Sequence, residues 1–180
     1  PKVTDAITKQ AATLVHVSNL YLTQPCAELA ALLSKHSFAD RWFFSNCGAT
    51  AIEASIKLAR RYWAQQGAPK PAIVSMQQSF HGRTMAAITA TGQPKYHEGF
   101  APMLPGIVHV PFNDHAALMK ALTDDVGAVL LEPIQGEGGI RVVDAEYIKS
   151  VRALCDARNI LLIFDEIQCG MGRTGTLFAH

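Results

Sequence analysis

Asn159-Ile160-Leu161-Leu162-Ile163-Phe164-Asp165-Glu166-Ile167-Gln168-Cys169-Gly170 decides how this chain folds. Ile160 to Phe164 form an unbroken apolar run that ends on two carboxylates. A short run that is apolar on both faces reads as a strand covered on both sides, as in a parallel sheet. Working upstream, Asp144 caps a helix whose stripe is Ile148, Val151 and Cys155, and Asn159 is its left-handed C-terminal residue. Val126 to Leu131 is a second, nearly continuous apolar strand. Before it come a helix over Asp114 to Leu122, a strand over Ile107 to Val110, a helix over Thr84 to Thr89 and a strand over Ala72 to Met76. Gly92 and Pro94 break the chain between them.

The alternation extends further back. Ile52, Ile56, Ala59 and Trp63 recur at helical spacing, with Glu53 and Lys57 as a supporting pair on the other face and Gly67 and Pro69 as the stop. Arg41 to Ser45 is strand-like by composition. Val3 to Val17 reads as a helix, Ser18 to Pro25 as a loop and Ala27 to Leu33 as a second helix. The chain is therefore expected to be α/β, a mainly parallel sheet with helices on both faces. Residues 1–40 would form a helical, interface-type segment and residues 41–180 the alternating part.

Of the 180 residues, 49% are hydrophobic and 17% charged, below the usual quarter for charge, which predicts extensive buried surface including an interface. A net charge of +1 gives no reason to expect nucleic acid or an anionic membrane as partner. No apolar run is long enough to cross a bilayer, and no leader pattern follows Pro1, so a cytoplasmic location is expected. Cys26, Cys47, Cys155 and Cys169 show no metal-site spacing and read as free thiols in a reducing compartment, with no metal expected. Both ends of the chain read as cut rather than natural.

In parallel α/β sheets ligands sit at the carboxyl ends of the strands, so the residues after each strand carry the functional expectations. Asn46-Cys47-Gly48-Ala49-Thr50 opens the long helix, where free N–H groups suit a phosphate, although taken alone the stretch reads first as an ordinary cap with a turn glycine. Ser79-Phe80-His81-Gly82-Arg83-Thr84 offers an aromatic face for a planar ring and an arginine for a carboxylate. Glu132-Pro133-Ile134-Gln135-Gly136-Glu137-Gly138-Gly139 begins with a carboxyl group right after an apolar strand. An unpaired charge there is costly, so Glu132 is expected to have a partner, an arginine. Asp165 could hold a metal-bound nucleotide or a protonated ring nitrogen. No glycine is followed by lysine, so the phosphate loop of a nucleotide-hydrolysing enzyme is missing and the first option fails.

Taken together and in this order, Asn46-Cys-Gly-Ala-Thr-Ala51, Phe80-His-Gly-Arg-Thr84, Glu132 to Gly139 and Asp165-Glu-Ile-Gln-Cys-Gly-Met-Gly-Arg-Thr-Gly175 resemble the class III aminotransferases that use pyridoxal 5'-phosphate (PLP). The resemblance covers essentially the whole chain. His16-Val-Ser-Asn-Leu-Tyr21 and Phe38-Ala-Asp-Arg41 are most similar to the acetylornithine/ornithine branch. Cys47 and Thr50 stand where the family usually has Ser and Glu, and Cys169 where it often has Thr.

The resemblance implies the large PLP-binding domain of the type I, aspartate aminotransferase-like fold, in incomplete form. It implies that Cys47, Gly48 and Ala49 hold the cofactor phosphate, that Phe80 stacks on the ring and that His81 and Gln168 also touch the cofactor. Asp165 would pair with the ring nitrogen as the catalytic carboxylate. Arg83 would grip a substrate carboxylate, Glu137 and Tyr21 would contact substrate, and Glu132 would order the pocket. The Schiff-base lysine is placed by the resemblance beyond His180, since none of the eight lysines here matches its context. The chain alone is thus expected to be inactive. The implied activity is transfer of an amino group from N-acetylornithine to 2-oxoglutarate in arginine biosynthesis, by a homodimer. Ornithine, succinylornithine or 4-aminobutyrate transamination and an aminomutase are the nearer alternatives. A non-catalytic binding or assembly role is the more distant one.

Overall fold

The computed structural model describes residues 1–18 and 20–180. The chain divides into two units, Pro1–Phe43 and Phe44–His180.

The first unit contains two helices, α1 (Lys2–Thr13) and α2 (Gln24–Lys35). The predicted first helix is thus shorter than Val3 to Val17, and the second begins earlier, with Pro25 in its first turn, where a missing N–H costs nothing. Neither helix buries a residue: Val3 is 74% and Ile7 64% exposed. Of the His16 to Tyr21 motif, Asn19 lies outside the described residues.

Arg41–Ser45, divided between the end of the first unit and the start of the second, does not form the expected strand. No neighbouring strand offers it a ladder among the described residues, and bulky side chains alone do not make a strand. The long helix follows as α3 (Gly48–Gln65), with Ile52, Ile56, Ala59 and Trp63 buried as the periodicity predicts. Next come β1 (Ala72–Met76), α4 (Met85–Ala90), a 3-10 turn at Pro94–Tyr96, β2 (Ile107–Val110), α5 (His115–Ala121) and β3 (Val126–Leu131). A small antiparallel hairpin, β4 (Ile134–Gln135) with β5 (Arg141–Val142), leads to α6 (Ala145–Arg158) and β6 (Leu161–Phe164).

β1, β2, β3 and β6 form one parallel sheet in the order β2-β1-β3-β6. Ile73, Ala128 and Leu130 pack against α3 and α4 on one face. Val74, Met76, Val129 and Leu131 pack against α5 and α6 on the other. β1 leads through α4 to β2 on one side, and β2 leads back through α5 to β3 on the other. With right-handed crossovers, that reversal puts α4 and α5 on opposite faces.

Two sequence expectations fail locally. Glu53 does not pair with Lys57; its carboxylate accepts the backbone N–H of Ala86 at 2.9 Å, capping the start of α4. Asp144 sits at the cap position of α6, but its side chain makes no capping bond. Asp114 does cap, accepting the N–H of Ala117 at 2.9 Å, and Asn159 is left-handed as expected, with φ of 52°.

Candidate active site

β1 and β3 are neighbours whose connections depart in opposite directions, so their carboxyl ends open a crevice. The turn after β1, Glu132 after β3 and Asp165 after β6 all reach it, and so does the N-terminus of α3. They enclose a cavity of about 280 Å3. Cys47, Gly48 and Ala49 line it from the helix start, Phe80 and His81 from the first turn, and Glu132, Asp165 and Gln168 from the other strand ends.

At the helix start, Cys47 is the capping residue in extended backbone. Its N–H donates to Thr50 Oγ1 at 3.3 Å, and the Thr50 hydroxyl donates to Asn46 Oδ1 at 2.9 Å. Thr50 thus does with a hydroxyl what a longer acidic side chain does at the third helical position of a capping box. Hydrogen bonding from Thr50 also holds the exposed Cys47 thiol below its ordinary pKa. Two glycines let neighbouring loops close on this point. A Cβ on Gly48 would lie 2.9 Å from the Ile167 side chain, and one on Gly82, at φ +123°, 2.6 Å from the Ala49 Cβ.

Deeper in, His81 Nδ1 lies 2.7 Å from Asp165 Oδ2, with side-chain exposures of 0% and 5%. Asp165 Oδ1 accepts the N–H of Ile167 at 3.1 Å, and the His81 N–H donates to Thr91 Oγ1 at 2.8 Å. His81 Nε2 is buried with no partner among the described residues. The sequence marks His81 as a cofactor contact but gives no sign of this pairing, because 84 residues separate the two.

Glu132 corrects another expectation. No arginine pairs with it among the described residues; Glu132 Oε2 accepts the N–H of Phe80 at 3.1 Å. Burial pushes its carboxyl up to about 8, the Phe80 amide opposes this and the nearby Asp165 adds to it. The group answers the cost of burial by keeping its proton at neutral pH rather than by finding a cation. The cavity therefore holds two acids in different situations, one on a histidine and one neutral.

Gln168 approaches the turn of the β4–β5 hairpin closely: a Cβ on Gly136 would lie 2.1 Å from Gln168 Oε1. Arg83 and Glu137 are exposed and do not line the cavity. Tyr21 belongs to the first unit and is 68% exposed. Ile167 and Gly82 line the cavity without having been singled out. Among the described residues no lysine lines the cavity. Among the described residues no helix is long and apolar enough to cross a membrane.

The profile of the family described as aminotransferase class-III matches residues 1–180. The acetylornithine aminotransferase of Methanocaldococcus jannaschii is 54% identical over 180 residues, covering 99% of this chain and 45% of that protein. Among solved structures, the N-acetylornithine aminotransferase of Stenotrophomonas maltophilia is 41% identical with a TM-score of 0.84, covering 100% of this chain and 44% of that one. The ornithine aminotransferase of Toxoplasma gondii, crystallized with oxidized glutathione and carrying PLP at partial occupancy in its active site, is 32% identical with a TM-score of 0.93. It covers 99% of this chain, which matches 43% of it. The chain thus spans less than half the length of the relatives it matches.

Proposed function

The chain belongs to the class-III aminotransferase family, and from that premise we propose that the protein carrying it transfers an amino group from N-acetylornithine, or a close ω-amino relative, to 2-oxoglutarate with PLP as cofactor. The observation that carries the proposal is the convergence of the Asp165–His81 pair, the Phe80 ring and the start of α3 on one cavity.

The donor set suits a phosphorylated aromatic ring. The N-terminus of an 18-residue helix turns its partial positive charge towards the cavity, with Cys47, Gly48 and Ala49 in the lining. Phe80 supplies an aromatic wall. Asp165 supplies a buried carboxylate, held in place by His81 and by the Ile167 amide. When bound, PLP provides an electron-withdrawing ring that takes up charge left on a substrate carbon when a proton is removed. The chain's own residues do the positioning. Cys47, Gly48 and Ala49 would hold the phosphate end, and Phe80 would offer its face to the ring. Asp165 holds a proton on the ring nitrogen, and His81 fixes the carboxylate that does so. Gln168, in the cavity lining, would contact the polar edge of the ring, and neutral Glu132 adds no second negative charge beside Asp165.

Arg83, exposed next to the cavity, would bind a substrate carboxylate, and Glu137 and Tyr21 would take part in substrate selection. A homodimer is supported by the large exposed apolar residues, among them Leu22, Phe43 and Ile167. A cytoplasmic location fits this chemistry. Ornithine is the nearer alternative donor, supported by the likeness to the Toxoplasma gondii enzyme.

The test is a donor panel on the full-length protein with PLP, following glutamate formed from 2-oxoglutarate. N-Acetylornithine should give the highest kcat/KM. Preference for free ornithine or 4-aminobutyrate would move the substrate assignment, and no glutamate from any donor would remove the proposal.

A further inference from the structure

Beside the cavity, and touching its lining at Phe80, lies a cluster centred on Tyr96, a residue that the functional reading does not use. The Tyr96 ring meets the Phe80 ring edge to face, with centroids 5.4 Å apart and planes at 63°. The Arg83 guanidinium carbon lies 5.8 Å from the Tyr96 ring centroid, and Lys95 Nζ lies 4.9 Å from it. Among the described residues neither Arg83 nor Lys95 has a carboxylate within ion-pair distance. Arg83 is exposed and Tyr96 half-buried.

From this geometry we infer that Tyr96 is a positioning residue: its ring holds Arg83 ready for a substrate carboxylate and braces Phe80 against the cofactor ring. The inference rests on the functional reading above. An exposed arginine has many rotamers, and fixing it costs entropy when a ligand binds. An aromatic face within about 6 Å restrains a guanidinium while leaving its N–H fork free, because attraction to the ring uses the face of the cation rather than its donors. Edge-to-face packing sets the tilt of Phe80 by the same quadrupole. Tyr96 sits at the end of the Pro94–Tyr96 turn, whose backbone is tied down by the Tyr96 N–H donating to Gln93 O at 3.0 Å. The platform therefore has a fixed base. One ring touches the residue assigned to the cofactor and the residue assigned to substrate, so both contacts respond to its loss.

The ring, not the hydroxyl, does this work: the Tyr96 hydroxyl makes no hydrogen bond among the described residues. Tyr96→Phe therefore keeps the device and Tyr96→Leu removes it. Lys95→Met is the control, taking a cation from the same ring without touching Arg83 or Phe80.

The experiment uses full-length protein loaded with PLP. It measures KM and kcat for 2-oxoglutarate, and calorimetric binding of glutarate, a dicarboxylate that cannot react. Tyr96→Leu should raise KM and weaken glutarate binding about three- to tenfold, with a smaller change in kcat. Tyr96→Phe should stay within about twofold of wild type on both. Wild-type values in Tyr96→Leu overturn the inference, as does equal damage in Tyr96→Phe and Tyr96→Leu. So does a Lys95→Met loss as large as that of Tyr96→Leu, which would make positive charge at the mouth, not the ring, the cause. If wild-type protein neither reacts nor binds glutarate, the functional reading itself has failed.

Discussion

Glu132 and Asp165 stand at the ends of adjacent strands and show how position decides chemistry. Asp165 has a histidine and an amide to receive its charge, whereas Glu132 has one amide and a wall of buried atoms. A carboxyl whose folded pKa is about 8 holds a proton that the unfolded chain has released above about 4.5. The folded state then binds more protons in that window, so this group's contribution is full below it and is lost as pH rises towards about 8. Urea unfolding of cofactor-free protein should show wild type losing stability between those limits relative to Glu132→Gln, which has nothing to titrate. Parallel curves for the two proteins would contradict the assignment. Asp165→Asn in the full enzyme should cut kcat by about a hundredfold or more, and undiminished turnover would remove it as the partner of the ring nitrogen. The need for a partner at Glu132 was legible from sequence. Its nature was not, because backbone N–H groups carry no sequence signature and the arginine inferred from charge balance was never required.

At the scale of elements, β1 and β3 could be read from their apolar runs, and α3 from its period, because burial on two faces or on one stripe writes itself into composition; β6 shows the same apolar run but, as the last strand of the sheet, is only half-buried, and β2, at the other edge, is partly exposed. Arg41–Ser45 could not, because a strand is also defined by a neighbour. Glu53 and Lys57 had the right spacing to pair, yet a nearby helix start offered Glu53 an unsatisfied amide and took it. The β4–β5 hairpin was hidden in a glycine-rich turn. Helix and loop ends meet at Gly82, where positive φ and a close Ala49 exclude a side chain. Gly82→Ala should destabilise by about 1–3 kcal/mol and weaken cofactor binding, because the turn carrying Phe80 and His81 must shift away from α3. A denaturant midpoint and PLP affinity both unchanged would show that the turn has slack.

Over the whole molecule, the direction of strand connections explains why the site lies where it does: the connections of β1 and β3 depart in opposite directions and open the crevice, to which the ends of β1, β3 and β6 bring Phe80, Glu132 and Asp165. The first unit follows a different logic, since its helices bury nothing and Leu20, Leu22 and Phe43 are open. Such surface calls for a covering, and sedimentation of the full-length protein at micromolar concentration should report a dimer. A monomer would mean that the remainder of the full-length chain, and not a second copy, covers that surface. The most direct test of the cavity as cofactor site is PLP affinity in the full-length protein, titrated by cofactor absorbance for wild type and for Asp165→Ala. Tight wild-type binding, weakened about tenfold or more in the variant, is the expected result; equal affinity in the two proteins would place the cofactor elsewhere.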